Sequence, residues 1–414
     1  MKTTNLRQMG KELLFILILA GMHSLSLSSQ TSNQYLEFPD TLILKTHQEK
    51  GVSLFQPGAG SLEFRDSAEL KKLEVFPKDG IIYPKNLDSL KVTCFITYLY
   101  PLQFYNSISK EVATQSNREN RDRIILVVKG LYHGDEICIV DQNHNFDLTD
   151  DPIRKFTNTD WYDRDNLIPC EYDVMVDGAV IQKTGWKNIL FTRGHLLEFT
   201  SQHVIAEFSV NGIFYRIGVK DDNSTTFCYV RPQLALLTQN GIMKDTLTQR
   251  DFVWKNEFVF LGDQPYRFLE FYNGCGTIVL TKEKEYNKQV GIQMGLLAPG
   301  FKIKTVTAEI IGNDQLTGKP IMIVNLSGCS GPETYEKYKK FFGKFSGEYH
   351  IIALEPKISS KLPGILVDTD DEFNKDFYLK YRNAYSSYDV YHIGLDGRIK
   401  DFFSIFSWET SMIN

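Results

Sequence analysis

One turn near the C-terminus contains side chains whose types and spacing could carry chemistry. It follows an apolar run over residues 321–326 and reads Ser-Gly-Cys-Ser-Gly-Pro over residues 327–332. A helix is predicted directly after it, at 333–345, because aromatic residues recur there at helical spacing on one face. A thiol at a helix start lies beside unpaired N–H groups, which lower its pKa and favour the reactive thiolate. Cys329 is therefore the first candidate for a chemical role.

Ser330 gives the same turn a structural interpretation. Ser330 and Glu333 form the Ser-x-x-Glu pattern of a capping box, in which serine accepts from the glutamate N–H and the glutamate reaches back. Such a cap contributes about 1 kcal/mol of helix stability. Under this interpretation Ser330 is not catalytic, and Cys329 is either an inert thiol or a single reactive one.

The elements around the turn predict an α/β unit. Strands are predicted at 321–326, 350–354 and 364–367, a second helix at about 370–382, and a terminal hairpin over 388–405. This order of strand, helix, strand, helix and hairpin is typical of an α/β sandwich on a mixed central sheet.

The segment 295–410 resembles the TlpA-type redoxins of the thioredoxin-like superfamily. The resemblance rests on four short sequences, which are Ala298-Pro299-Gly300-Phe301, Gly318-Lys319-Pro320, the turn at 327–332, and Asp396-Gly397. In that family the strand runs into Trp-Cys-Gly-Pro-Cys at the head of the helix. The resemblance, over just more than a quarter of the chain, implies a thioredoxin-like fold and descent from thiol-disulfide oxidoreductases.

The resemblance places the family motif on Cys329, Ser330, Gly331, Pro332 and Glu333 when the strand is aligned without gaps. Ser330 then stands at the nucleophilic cysteine, Glu333 at the resolving one, and Cys329 at the tryptophan. A shift of one residue would instead make Cys329 the nucleophile, with Pro332 in the resolving position. Neither alignment contains Cys-x-x-Cys, so the two-thiol route is not possible within this motif.

A second departure from the family concerns a loop beside the thiols. The family has a cis-proline there, and counting back from Asp396-Gly397 places that position at about Tyr388. A cis bond before a residue other than proline costs about 3 kcal/mol. We therefore expect a trans loop and an altered groove for the substrate backbone.

A loop rich in Asp and Asn follows a predicted strand at 136–140. Its oxygen-bearing side chains at alternate positions match the first half of a calcium loop. Phe146 stands where such loops have glycine, and Pro152 stands where they have a bidentate glutamate, which leaves Asp150 or Asp151 to replace it. The candidate calcium ligands are Asp141, Asn143, Asn145, Asp147 and Asp151. The alternative is a solvated strand connection, since these residues also favour turns. No other cofactor is indicated.

The chain before the α/β unit is predicted to be β-rich. Residues 30–290 contain many short alternating runs separated by Gly, Asn and Asp turns, such as Asn211-Gly212, which is typical of a hairpin. This pattern favours a sandwich-like region, either as one unit or as two small β units. The predicted domains are thus a β-rich region at 30–290 and a thioredoxin-like domain at 295–410.

The N-terminus predicts export. Residues 1–29 have the order of a secretory signal peptide, with basic residues, an apolar stretch at 13–22, and a tract of serine and leucine. The apolar stretch is shorter than the roughly 20 residues that span a bilayer, and no later segment reaches that length. We expect an exported protein, periplasmic or extracellular, without a transmembrane segment after removal of the signal.

Composition narrows the function classes. The 414 residues carry a net charge of −5 at pH 7, which argues against a nucleic-acid partner. Six cysteines are too sparse for a disulfide scaffold. The leading hypothesis is a degenerate redoxin that acts as a non-catalytic binding or structural module of the cell envelope, with a protein or peptide partner. The alternative is a thiol-disulfide oxidoreductase or thiol peroxidase that uses Cys329 alone.

Overall fold

The computed structural model of the protein describes most of the chain after residue 34. The described residues are 35–38, 40–51, 53–55, 60–72, 76–88, 91–98, 124–155, 167–176, 179–192, 195–221, 227, 229, 231–239, 241–272, 276–327, 332–355, 362–381 and 390–411. The predicted signal peptide, Cys329, Ser330, Gly331 and Tyr388 lie outside these ranges. Among the described residues, no helix has both the length and the apolar character needed to cross a membrane.

Strands dominate the part of the chain before residue 290. They are β1 (Tyr35–Phe38), β2 (Thr41–Lys45), β3 (His47–Lys50), β4 (Gly60–Ser61), β5 (Glu63–Arg65), β6 (Thr93–Tyr98), β7 (Ile124–Tyr132), β8 (Asp135–Val140), β9 (Arg154–Lys155), β10 (Ile168–Val176), β11 (Ala179–Thr192), β12 (His195–Thr200), β13 (Gln202–Val210), β14 (Ile213–Asp221), β15 (Pro232–Leu236), β16 (Thr238–Gln239), β17 (Ile242–Met243), β18 (Phe252–Val253), β19 (Phe258–Leu261), β20 (Gln264–Tyr272) and β21 (Thr277–Lys282). One short helix, α1 (Ser67–Leu70), follows β5. The predicted β-rich character of this region is confirmed.

The rest of the chain alternates strands with helices. Its elements are β22 (Lys302–Lys304), β23 (Ile310–Gly312), β24 (Ile321–Asn325), α2 (Pro332–Phe345), β25 (His350–Glu355), β26 (Ile365–Asp368), α3 (Lys375–Tyr381), β27 (Val390–Ile393), β28 (Ile399–Phe403) and α4 (Trp408–Ser411). The second helix was expected from about 370, but a 3₁₀ turn at Glu372–Asn374 precedes α3. There the Asp371 carboxylate accepts from the Phe373 N–H, which stabilises the turn before the α-helix begins.

A mixed five-stranded sheet organises this second part, in the order β26-β25-β24-β27-β28. The pairs β24–β25 and β25–β26 are parallel, whereas β27 and β28 run antiparallel to them. Alternate residues of β24 point to opposite faces: Met322 and Val324 pack with α2, and Ile321 and Ile323 pack with α3. One helix thus covers each face, as expected for the predicted α/β sandwich.

The N-terminal strands form antiparallel sheets, and two of the cores that they bury are each shared by a pair of sheets. The sheet β1-β2-β21-β20-β19 shares one core with the sheet β18-β15-β14-β13-β3. The sheet β5-β6-β7-β8-β9 shares another with β10-β11-β12-β4. The hairpin predicted at Asn211-Gly212 is confirmed: both residues have positive φ, 52° and 76°, between the paired ends of β13 and β14. The description as a sandwich-like region, and its division into one unit or two, stay predictions.

The segment at 286–299 contacts both parts of the chain. Gln293 exchanges two hydrogen bonds with the backbone of Phe258, at 2.8 and 2.6 Å. The Ala298 N–H donates to the Gly397 carbonyl in the last hairpin. Arg398 donates to the carbonyls of Gly295 and Asn287. These contacts lie within the one compact unit formed by residues 35–414. The predicted boundary at 290–295 stays a prediction.

One ion pair lies inside the β-rich part. Lys187 is on β11 and Glu198 is on the neighbouring strand β12. The Lys187 Nζ lies 2.5 Å from the Glu198 Oε2, and both side chains are buried. Thr97 of β6 completes the cluster, because its hydroxyl donates to Glu198 and accepts from Lys187 at 3.2 Å. Burial makes each charge dependent on the other, since an unpaired buried ion is costly.

Removal of one member of this pair should therefore destabilise the protein strongly. We expect Lys187→Met to lower the free energy of unfolding by about 3–5 kcal/mol, because Glu198 would remain buried without its cation. The double change Lys187→Met with Glu198→Leu should recover most of that loss, since it leaves no buried charge. Urea unfolding followed by circular dichroism measures both.

The matched control is Lys400→Met, which breaks the half-exposed pair with Asp396. It should cost far less than Lys187→Met, because solvent screens exposed pairs. A loss no larger for Lys187→Met than for this control would contradict the account.

Candidate functional site

The described chain reaches Ser327 just past the carboxyl end of β24 and resumes at Pro332, so it gives the two residues that flank the segment with Cys329. The Leu326 N–H still donates to the Leu354 carbonyl of β25, at 2.8 Å. The helix α2 then begins at Pro332, a favoured first helical residue because proline has no N–H to leave unpaired. Pro332 and Glu333 are exposed. The cap by Ser330 and the state of Cys329 stay predictions, as does the loop at Tyr388.

Two hydroxyl groups and an amide form a first polar cluster at this edge. The Ser327 hydroxyl donates to the Asn325 Oδ1 at 2.6 Å, and the Ser327 N–H donates to the same oxygen at 3.0 Å. The Tyr378 hydroxyl of α3 lies 2.9 Å from the Ser327 Oγ. The start of the turn is thereby joined to the helix on the opposite face of the sheet from α2.

A carboxylate forms a second polar cluster on the neighbouring strand. Glu355 ends β25 and is 3% exposed. Its Oε1 accepts from the Tyr335 hydroxyl in the first turns of α2. Among the described residues no hydrogen-bond donor reaches the other oxygen, Oε2. A buried carboxylate oxygen in this state could accept a proton or a donor group from a ligand.

Neither Glu355 nor Tyr335 was among the residues predicted from sequence. Tyr335 is one of the aromatic residues of the predicted helix at 333–345, and Glu355 follows directly after the predicted strand at 350–354. Two signals could have indicated the pair. Ligands of open α/β sheets bind beyond the carboxyl ends of the strands, and Glu355 is a carboxylate at that end. A tyrosine at a buried helix face also needs a hydrogen-bond partner.

The Asp- and Asn-rich loop after β8 forms a closed turn held by its own side chains. The buried Asp141 accepts from the N–H groups of Asn145 and Phe146, both at 3.1 Å. Asn143 accepts from the Asn145 N–H at 3.3 Å, and Asn145 accepts from the Asp147 N–H at 2.7 Å. The alternate side chains predicted from sequence are thus brought together within one turn.

Phe146 occupies the position where calcium loops have glycine, and it adopts the backbone that glycine supplies. Its φ is 61°, in the left-handed region. That conformation costs about 1–2 kcal/mol for a residue with a side chain. The Phe146 ring is buried and packs edge to face on Phe76, with centroids 5.7 Å apart. Burial of a phenylalanine stabilises by about 1.5–3 kcal/mol, which offsets the cost.

The two carboxylates at the end of the loop differ in their partners. Asp150 Oδ2 accepts from the side-chain amides of Asn143 and Asn145, at 3.1 and 3.0 Å. Asp151 Oδ1 accepts from the Gln142 N–H at 3.0 Å. Burial, with a smaller contribution from nearby carboxylates, raises the pKa of Asp151 to about 7 and that of Asp141 to about 6. In the described ranges no three His, Cys, Asp or Glu side chains form a metal-holding group by themselves.

The three described cysteines do not have the properties of reactive thiols. Cys138 and Cys170 are buried in one core, and burial raises the pKa of each thiol to about 12. Cys94 is partly buried beside the Tyr83 hydroxyl, and burial raises its pKa as well. Protonated, enclosed thiols are poor nucleophiles. The described cysteines therefore offer no replacement for the missing partner of Cys329.

Comparisons with known proteins gave matches among solved structures. No family model matches the chain, and no curated protein matches it. Among solved structures, the thioredoxin domain of a thiol-disulfide oxidoreductase from Bacteroides vulgatus is 14% identical, with a TM-score of 0.23 over 29% of this chain and 98% of that one. A thiol:disulfide interchange protein from Bacteroides sp. is 14% identical, with a TM-score of 0.22 over 26% of this chain and 78% of that one. ScoI of Bradyrhizobium japonicum is 15% identical, with a TM-score of 0.21 over 26% and 90%. With TM-scores this low, these matches carry no argument about the site.

The Tyr335–Glu355 contact gives a test of the site's energetics. We expect Tyr335→Phe to lower the free energy of unfolding by about 1–3 kcal/mol, because it removes the described donor to a buried carboxylate. In a Glu355→Gln background the same change should cost less, since no charge remains to be satisfied. Denaturant unfolding of the four proteins completes the double-mutant cycle.

The control is Tyr378→Phe, which removes a hydroxyl from the neutral contact with Ser327. It should cost about 0.5–1.5 kcal/mol. The interpretation fails if Tyr335→Phe costs the same with and without the Glu355 charge.

Proposed function

We propose that this chain is an exported, redoxin-type protein whose thioredoxin-like domain has a degenerate active site. The domain acts as a non-catalytic binding or structural module of the cell envelope, in the periplasm or outside the cell, with a protein or peptide partner. The observation that carries the proposal is the turn between β24 and α2. It stands where the resembling family has two cysteines, and it contains one, at position 329.

No other cysteine is close enough in sequence to Cys329 to take the place of the missing thiol. The six cysteines are Cys94, Cys138, Cys170, Cys228, Cys275 and Cys329, and no two of them are separated by two residues. A dithiol site cycles by attack of one thiolate and release by its partner. Without that partner a mixed disulfide formed at Cys329 would wait for an external thiol, so multiple turnover of a protein disulfide is not expected.

The groups that remain at this edge are suited to binding. Beyond the carboxyl ends of β24 and β25 the chain presents the Ser327 and Tyr378 hydroxyls and the buried Glu355 carboxylate. Such an edge is the usual ligand position in open α/β sheets. Hydroxyls and a carboxylate with an unused oxygen can accept backbone N–H groups, which supports an extended peptide as the class of ligand.

An insulin-reduction assay tests the proposal. The mature chain, with dithiothreitol as reductant, should produce insulin turbidity no faster than dithiothreitol alone. The Cys329→Ser variant should behave identically. Turnover by the wild-type chain that disappears in Cys329→Ser would contradict the proposal and favour the single-thiol enzyme.

The matched variant restores the family pair through Ser330→Cys with Glu333→Cys. In the gap-free alignment these positions are those of the family's Cys-x-x-Cys pair, a sequence spacing at which a disulfide closes. We expect an intramolecular disulfide, seen by mass spectrometry as the loss of two thiol hydrogens. Failure to form it would count against the alignment on which the degenerate site is based.

A further inference from the structure

A buried carboxylate oxygen in the loop at 141–151 lacks a partner. Asp151 is 8% exposed, so more than nine-tenths of it is buried. Its Oδ1 accepts from the N–H of Gln142, the second residue of the loop, at 3.0 Å, which holds the carboxylate against the start of the turn. Within the described part of the chain no hydrogen-bond donor reaches its Oδ2. A buried charge in this state requires a cation or a proton.

The charges around Asp151 favour a cation. The side chains that act on it most strongly are the carboxylates of Asp141, Asp150 and Asp147. Asp141 is itself buried, and it accepts from the N–H groups of Asn145 and Phe146 and from the backbone of His144. A carboxylate has about four lone-pair positions, so a position remains for a cation. The Asp141 charge acts on the buried Asp151 carboxylate, and a cation held by both groups would offset their repulsion.

The backbone supplies another oxygen. The Ile82 N–H donates to the Phe146 carbonyl, and the Leu148 N–H donates to the Ile82 carbonyl, at 3.0 and 2.9 Å. In this parallel bridge the intervening residue, Asp147, directs its backbone groups away from Ile82. Its N–H donates to Asn145 Oδ1, and in a parallel ladder the N–H and the carbonyl of one residue face the same side. Oδ1 of the Asp147 carboxylate accepts from both the N–H and the hydroxyl of Thr149, so we assign the backbone carbonyl as the ligand that Asp147 supplies.

We propose that the loop at 141–151 binds one calcium ion. The ligands are oxygens of the Asp141 and Asp151 carboxylates, the Asn143 and Asn145 side chains, and the Asp147 backbone carbonyl. Asp151 takes the role of the terminal acidic ligand. Asp150 does not, because its Oδ2 already accepts from the side-chain amides of both asparagines.

The ligand chemistry selects calcium among common cations. All five groups are oxygens, with a mixture of carboxylate, amide and carbonyl that Ca²⁺ accepts in flexible geometry. Magnesium requires near-ideal octahedral geometry and retains its waters. Zinc and copper prefer nitrogen or sulfur ligands. The site would connect β8 with β9 and with the segment at 82, and it is separate in sequence from the turn with Cys329.

Isothermal titration of CaCl₂ into the mature chain, freed of metal with EGTA and dialysed, tests the proposal. We expect one site, with a dissociation constant in the range of extracellular modules, about 10⁻⁴–10⁻³ M. Asp151→Asn keeps the shape of the side chain and removes its charge, and it should weaken binding on the order of tenfold or more. The matched change at the next residue, Asp150→Asn, should weaken it less than about threefold, because Asp150 is not a ligand.

A second measurement does not depend on any variant folding correctly. Calcium should raise the thermal unfolding midpoint of the wild-type chain, and magnesium at the same concentration should not. Three outcomes would overturn the proposal: no calcium heat up to about 10 mM, equal effects of calcium and magnesium, or equal losses in Asp150→Asn and Asp151→Asn when both retain the wild-type circular dichroism spectrum.

Discussion

Burial of β24 on both faces is the constraint on which the C-terminal half depends. Residues 321–324 alternate between the core under α2 and the core under α3, and all four are buried. Such a strand accepts no polar side chain along its length. Polar groups can therefore appear only where the strand ends, at Asn325 and Ser327, and the chain must turn there to begin α2. The position of the candidate site follows from this packing.

The buried carboxylates of Glu198, Glu355 and Asp151 differ in their hydrogen-bond partners. The difference distinguishes a structural carboxylate from two candidate functional ones. Glu198 has both a lysine and a threonine, and its charge is balanced inside the core. Glu355 has one tyrosine and one oxygen without a described donor. Asp151 has one backbone N–H and one such oxygen. Both oxygens of Glu198 have a donor. Glu355 and Asp151 each have one oxygen that could accept from a group outside the described chain.

Much of the fold could be predicted from sequence because it follows from local patterns. The apolar run at 321–326, the aromatic spacing of α2 and the Asn211-Gly212 turn each specify their element with little outside help. Pairings between distant segments could not be predicted in this way. Lys187 donates a hydrogen bond to Thr97, which is 90 residues away in the sequence. No local pattern distinguishes Lys187 from a surface lysine.

The candidate sites, too, could be predicted only where they follow from local sequence patterns. The spacing of Asp141, Asn143 and Asn145 predicted the shape of the loop, but Phe146 looked incompatible until its burial against Phe76 accounted for the left-handed backbone. The choice between Asp150 and Asp151 required hydrogen bonds that only the three-dimensional structure provides. Glu355 was missed because it follows a strand that was recognised by its apolar residues alone.

The most direct test of the degenerate site is the reactivity of Cys329 itself. Iodoacetamide labelling of the native mature chain, followed across pH by mass spectrometry of each cysteine peptide, reports the thiol pKa. The account predicts a Cys329 pKa at or above the ordinary value of about 8.5, or no labelling before unfolding. A thiolate already formed near neutral pH, as reactive cysteines at helix starts have, would contradict it.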